Sequence, residues 1–504
     1  MADNHLFDAL FAPLDGRTGD LMILPDGRTV TGAAFHAMVL RMAGALAALG
    51  IAPGDRVAVQ VAKSPEALAL YGAAVAAGAV FLPLNPAYTP AEVAYFVGNA
   101  EPRILVCDPG RAAALAPVAA GARIVTLDAG GAGSLADLAA GQDGAFAPVG
   151  RGPGDLAAIL YTSGTTGRSK GAMLTHANLL SNGAVLAREW AFTDRDVLLH
   201  MLPVFHTHGL FVATNIALLT GGRMILCPGF DAAEALRLIP QASAMMGVPT
   251  FYTRLLDDPR LDRALTAHMR LFVSGSAPLL AETHRAWEAR TGHRILERYG
   301  MTETNMNTSN PYAGERRAGT VGLPLPGVEV RVCDPAGRPL PPGETGMVEV
   351  RGPNVFAGYW RMPDKTAEDL RADGFFITGD LGRFDADGYL TIVGRQKDLI
   401  ITGGFNVYPV EVEAAIDALP GVLESAVVGV PHPDFGEAVV AIVVPRAGAS
   451  LEPAAIIGGL AETLARFKQP KAVEIAAALP RNSMGKVQKA ELRARHAARF
   501  AGGT

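Results

Sequence analysis

Tyr161 to Gly171 (YTSGTTGRSKG) gathers three threonines, two serines, three glycines and a lysine into eleven residues. The apolar run Leu156 to Leu160 comes directly before it and reads as a buried strand. A loop of this composition at the carboxyl end of a sheet offers backbone N–H groups, hydroxyls and an ammonium group, which suits a polyphosphate. A plain surface turn is the alternative, but a turn has no need of so many hydroxyls. The Gly-Lys-Ser/Thr spacing of the P-loop is missing, so this is a different phosphate grip. Asp385-Ala386-Asp387-Gly388 opens like a calcium loop but lacks the remaining ligand positions, so it reads as a hairpin turn. Cys107, Cys227 and Cys333 lie more than a hundred residues apart, which gives no close-spaced metal site and no disulfide framework and fits a reducing cytosol.

The elements that must position these groups alternate in type. A helix to Gly50, a strand Arg56 to Val61, a helix Ser64 to Gly78 and a strand Val80 to Leu84 predict a mostly parallel sheet covered on both faces. A second block, with strands Leu156 to Tyr161, Met224 to Leu226, Ala244 to Gly247 and Leu271 to Val273, predicts a second doubly wound sheet. The Ala- and Gly-rich stretch Arg111 to Gly152 reads as a loosely packed connection. Between Gly327 and Val393 the apolar period becomes two, which predicts a β-rich, barrel-like module. A smaller α+β unit follows, with a helix Pro409 to Leu419, strands near Ser425 to Val430 and Val439 to Val444, and a helix near Ala454 to Phe467. The fold class is therefore α/β: a large N-terminal domain, residues 1–395, and a smaller C-terminal domain, residues 396–504.

Composition excludes several functions. The chain has 504 residues, is 49% hydrophobic and carries a formal charge of −5, so it builds large cores and presents no basic field for nucleic acid. Ala67 to Leu84 carries no charge over 18 residues, yet its alanines, Gly72, Gly78 and Pro83 suit a buried helix and strand better than a membrane span. The N-terminus lacks the basic start and apolar core of a signal peptide, so a cytoplasmic enzyme with no membrane partner is expected. Two domains of this size imply a cleft between them.

Five motifs in order resemble the adenylate-forming acyl-CoA synthetase superfamily: the loop above, Tyr299-Gly300-Met301-Thr302-Glu303, Thr378-Gly379-Asp380, Gly394-Arg395-Gln396-Lys397-Asp398 and Pro480-Arg481-Asn482-Ser483-Met484-Gly485-Lys486. The likeness covers nearly the whole chain. It implies that ATP and Mg2+ activate a carboxylic acid as an acyl-adenylate, and that the acyl group then passes to coenzyme A. Two anions must meet in the first step, so fixed cations and donors have to offset their repulsion. By this resemblance Lys486, on a mobile C-terminal unit, serves the α-phosphate, and Thr302 bonds the same group. Glu303 holds the metal, and Thr162, Ser163, Gly164, Thr165, Thr166, Gly167 and Lys170 grip the β- and γ-phosphates. Ser276, Ala277 and Pro278 line one side of the adenine, with Arg298 and Tyr299 on the other. Asp380 and Arg395 meet the ribose, Lys397 is the hinge, and Gly403 and Gly404 line the pantetheine passage. A hairpin turn is the alternative for the two glycines.

Phe205 to Leu210, Ser274-Gly275-Ser276, Thr283-His284-Arg285 and Gly300 to Tyr312 resemble the malonyl-CoA synthetase branch of that superfamily. A diacid needs one carboxylate free to react and the other neutralised, and an arginine fork holds a carboxylate with two parallel hydrogen bonds. Arg285, on a helix expected over Leu279 to Arg290, is the arginine expected in the pocket, with His206, Ser274, Gly300 and Met301. The alternative for Arg285 is a solvent-facing helical residue beside Glu282 and Glu288. Methylmalonate is the related acid. Three rival functions are a medium- or long-chain or aromatic acyl-CoA ligase, an amino-acid-activating module, for which no carrier segment follows, and an adenylate-binding sensor. A lysine acetyltransferase acting on Lys486 is an expected partner. No oligomeric state follows from the sequence.

Overall fold

A computed structural model describes residues 3–162, 169–482 and 485–500. Its first sheet has six strands in the order Arg123–Thr126, Ile104–Cys107, Arg56–Gln60, Val80–Pro83, Leu156–Thr162 and Lys170–Thr175. All pairs are parallel except the last, where the chain returns antiparallel from the phosphate-loop motif. The uncharged stretch from Ala67 is helix Pro65–Ala76 and strand Val80–Pro83, both buried. Ser64 begins that helix as expected of an N-cap, its Oγ accepting from Ala67 N at 3.1 Å ahead of a proline at the first turn. No helix among the described residues is long and apolar enough to cross a membrane.

The second sheet has nine strands. Its parallel interior is Leu296–Met301, Leu271–Ser274, Ala244–Gly247, Val197–His200, Arg223–Leu226 and Asp20–Ile23, and antiparallel strands close both edges. The β-rich module is a four-stranded antiparallel sheet, Glu329–Cys333, Gly346–Arg351, Phe376–Phe384 and Leu390–Arg395, with Val330 opposite Val350 and Val332 opposite Val348. Asp385 to Gly388 is the expected turn, closed by Gly388 N to Asp385 O at 3.1 Å, and Asp334-Pro335-Ala336-Gly337 is another, closed by Gly337 N to Asp334 O at 2.9 Å. Arg317 takes the carboxylates of Asp385 and Asp387 at 2.8 and 2.7 Å.

The C-terminal sheet pairs Phe405–Val407, Ile400–Thr402, Gly436–Pro445 and Val422–His432, with Ala472–Ile475 parallel to Gly436–Pro445. Two expectations need correction. Arg111 to Gly152 is not a loose connection: it contains edge strand Arg123–Thr126 and helix Ser134–Ala140, whose Leu135 is buried. Alanine serves core and surface equally, so it hides the period that would have marked them. The helix expected to reach Phe467 ends at Gly459, and its last two residues are glycines, which are poor helix formers.

Candidate active site

Parallel strands deliver their carboxyl ends to one edge, and loops there carry groups that a packed strand cannot. Four neighbouring strands of the second sheet do this. Val197–His200 leads to Phe205–Gly209, Ala244–Gly247 to Thr250, Leu271–Ser274 to Gly275 and Ser276, and Leu296–Met301 to Thr302 and Glu303. Ser274 is fully buried, and Gly300 and Met301 pair with Met306 and Asn305 at the returning edge.

The pocket arginine is a correction. Helix Ala281–Thr291 turns Thr283, His284 and Trp287 inward, and Arg285 lies on its exposed face. Arg298 is the buried arginine, 3% exposed, with no hydrogen-bond partner for Nε or Nη2 among the described residues. Its guanidinium lies over Gly275, where a β-carbon would come within 2.4 Å of Cζ, so only glycine leaves it room. Burial pulls Arg298 down to about 9, opposed by Tyr252 and Glu297, and it remains cationic at neutral pH. A buried, unpaired guanidinium is costly, so this site asks for an anion.

Two histidines stand beside it. Burial first, then the charges of Arg298 and Lys486, pull His206 down to about 4, so it is neutral at pH 7. Its Nδ1 accepts from His208 N at 3.3 Å, which assigns the ring proton to Nε2 as a donor. His208 is buried, its Nδ1 3.3 Å from Ser276 Oγ. Ser276 holds φ at +71°, the left-handed region that non-glycine residues enter at a cost, as functional loops often do. Ala277 and Pro278 follow it at increasing exposure.

On the side expected to take the nucleotide, Tyr299 Oη donates to Asp380 Oδ2 at 2.6 Å and Arg395 Nε meets Asp380 Oδ1 at 2.9 Å. Asp380 itself is 4% exposed, and its charge raises Arg395. Lys486 arrives from the C-terminal unit on a turn where Asn482 Oδ1 accepts from Lys486 N at 3.0 Å. A β-carbon on the adjacent Gly485 would stand 3.0 Å from Thr250 Oγ1, so this turn seats on the N-terminal unit. Burial, then repulsion from Arg395, lowers Lys486 to about 8, with Asp380 opposing. Thr302 is partly exposed at the same edge.

Thr162 ends strand Leu156–Thr162 and Lys170 begins the next. Ser163, Gly164, Thr165, Thr166 and Gly167 lie outside the described residues. Lys170 Nζ donates to Tyr359 Oη at 3.0 Å, and Tyr359 Oη donates to Glu303 Oε1 at 3.1 Å. Glu303 is 4% exposed and burial raises it, so its ionised form lacks water and gains from a cation. An acceptor-only carboxylate beside a phosphate-loop lysine fits magnesium. Lys397 is exposed on the turn Gln396–Asp398. Gly403 and Gly404 form the two-residue turn between Ile400–Thr402 and Phe405–Val407, with φ of +55° and +82°.

Sequence reasoning passed over Lys63, Tyr359 and Asp369 and gave Arg298 to the adenine. A signal existed for two of them. Arg298 is a charge inside the strand Leu296–Met301, and Lys63 is a lone charge between an apolar strand and an alanine-rich helix. Lys63 Nζ is held by His200 Nδ1 at 2.8 Å, His200 O at 2.8 Å and Leu202 O at 2.9 Å, tying the first sheet to the second.

Comparison with known proteins gives the family. The model of the AMP-binding enzyme family matches residues 15–360, and that of the AMP-binding enzyme C-terminal domain matches residues 411–486. The crystal structure of ATP-bound MatB from Rhodopseudomonas palustris is similar at a TM-score of 0.97 and 57% identity, covering 99% of this chain and 100% of that one. A feruloyl-CoA synthase from an Amycolatopsis species is 38% identical over 93% of this chain and 94% of its own. A malonate–CoA ligase from Arabidopsis thaliana is 34% identical over 88% of this chain and 78% of its own.

Proposed function

The chain belongs to the AMP-binding enzyme family and is an AMP-forming acid–CoA ligase that uses ATP, Mg2+ and coenzyme A, and within that class we propose that its acid is malonate. Its relatives act on acids as different as ferulate and malonate by name, so the pocket must decide. The observation that carries the reading is the buried, unpaired Arg298 beside neutral His206. A fatty or aryl tail would leave that guanidinium without a partner. A short diacid supplies one, and Nε2–H of His206 is a second donor to the same carboxylate.

In the adenylation step, one malonate oxygen forms a bond to the α-phosphorus as the bond to the bridging oxygen of pyrophosphate breaks. Lys486 and Thr302 offset the charge that gathers on the α-phosphate, and the described end of the phosphate loop, Lys170, meets the outer phosphates. Glu303 would hold magnesium, which when bound would supply charge neutralisation for the polyphosphate. Asp380 and Arg395 orient the ribose, and Ser276 to Pro278 with Tyr299 enclose the base. The coenzyme A sulfur, its proton lost to solvent, then bonds the acyl carbon as that carbon's bond to the phosphate oxygen breaks and AMP leaves. For that step the unit from residue 396 turns about Lys397 and brings Gly403 and Gly404 to the pantetheine. Methylmalonate adds one methyl group and should be discriminated by about ten- to two-hundredfold at most. The three free, buried cysteines support a cytoplasmic setting.

Acid-dependent AMP release tests this with malonate, methylmalonate, acetate, octanoate and coumarate. The native protein should prefer malonate. Arg298→Ala should lose roughly a hundredfold or more in kcat/KM for malonate, and Arg285→Ala should stay within about threefold of native. Equal use of octanoate and malonate by the native protein, or an unimpaired Arg298→Ala, would overturn the assignment.

A further inference from the structure

We propose that Tyr359 is a positioning residue that couples the phosphate-loop lysine to the metal-binding glutamate, so that magnesium and ATP bind through one shared hydroxyl. The inference rests on the ATP and magnesium roles given above to Lys170 and Glu303. Tyr359 is 3% exposed, and its single polar atom faces both groups: Lys170 Nζ at 3.0 Å and Glu303 Oε1 at 3.1 Å. The ammonium also lies 4.1 Å from the centre of the phenol ring, a cation–π contact that keeps the lysine over the tyrosine.

The backbone fixes this tyrosine from both sides. Met173 N donates to Gly358 O at 3.0 Å, Ala357 N to Met173 O at 2.9 Å and Trp360 N to Gly171 O at 2.7 Å, so residues 357–360 lie against strand Lys170–Thr175, with an isolated antiparallel bridge between Ala172 and Tyr359. Phe356 N donates to Glu303 O at 2.8 Å, which joins the same segment to the glutamate. The Phe356 ring then packs edge-on against the Tyr359 ring at 4.8 Å. The hydroxyl therefore cannot follow one neighbour without the other. It accepts from the lysine and donates to the carboxylate, so a shift in either charge is felt by its partner across two hydrogen bonds.

Asp369 is the competing partner of the lysine, and its carboxylate also acts on the Tyr359 hydroxyl. Its Oδ2 lies 3.5 Å from Lys170 Nζ, and its Oδ1 accepts from Lys365 at 2.9 Å. A polyphosphate reaching Lys170 displaces this long contact and leaves the hydroxyl as the lysine's remaining protein anchor. Asp369 thus opposes ATP, while Tyr359 aims the lysine at it.

Calorimetric titration of ATP into Y359F, with magnesium and with a chelator, separates coupling from packing, because phenylalanine keeps the ring and removes only the hydroxyl. With magnesium, ATP should bind roughly tenfold more weakly than to the native protein, and with the chelator the loss should shrink to about twofold or less. In E303Q the magnesium effect should be lost and Y359F should add about twofold or less. An equal loss with and without magnesium, or native affinity in Y359F, would overturn the coupling. D369N keeps the phenol and gives a second reading if Y359F does not fold: it should bind ATP at least as tightly as native, and weaker binding counts against the proposal. Magnesium–ATP binding and acid-dependent AMP release by the native protein test the underlying function separately.

Discussion

In the proposed mechanism the charge of Lys486 matters most to the first half-reaction, and its surroundings work against that charge. Burial and the repulsion of Arg395 and Lys397 outweigh the attraction of Asp380, and the ammonium titrates at about 8 rather than in the usual lysine range. A lowered lysine is charged below its own pKa and neutral above it. The kcat/KM of the free enzyme for ATP in adenylation should therefore fall as pH rises through about 8. Lys486→Arg, whose guanidinium stays charged, should lose that descending limb whatever its absolute rate. The same limb in both proteins would assign it to another group. Arg298 obeys the same logic with a different outcome: a guanidinium resists deprotonation, so burial there creates demand for an anion instead of a neutral side chain.

Residues act through the elements that carry them, and the pocket wall shows how. The segment His208–Thr214 is a π-helix, a rare form common at functional sites, and it holds His208 against Ser276. His200 Nε2 reaches Gly209 O at 2.9 Å and Thr214 Oγ1 at 3.0 Å, and Lys63 grips the opposite nitrogen of the same ring. Lys63→Met would leave two buried carbonyls and that ring nitrogen without their donor. It should destabilise the protein by about 3 kcal/mol in chemical unfolding, and raise KM for malonate more than KM for ATP. Unchanged stability would show that the tether is dispensable.

Much of the element order was legible because short apolar strands punctuated by glycine and proline announce themselves: Ala244–Gly247 falls on its expected bounds, and Leu156–Thr162 differs by one residue. The face of helix Ala281–Thr291 was not legible. It mixes Thr283, His284 and Arg285 with two glutamates and has little apolar contrast, so its sequence left the register open and tertiary packing of Trp287 on Phe272 and Tyr252 decided it. Tyr359 was invisible for another reason. Its partners Lys170 and Glu303 are 189 and 56 residues away, and no local pattern announces a contact of that kind.

At the scale of the whole molecule, two units of unequal size meet over the edge where the strands end. An exposed ion pair, Arg446 to Glu282 at 2.7 Å, crosses between them, and Lys486 is the side chain that reaches the site. Such a pair contributes little, which suits the proposed turning of this unit about Lys397. On the proposed roles the N-terminal unit holds the acid and the nucleotide, because Arg298, His206, Glu303 and Asp380 all belong to it. A crystal structure with malonate and a non-hydrolysable ATP analogue measures the central claim directly. We predict one malonate carboxylate on the Arg298 guanidinium and the other facing the α-phosphate; malonate bound away from Arg298, or an apolar tunnel in its place, would contradict the account.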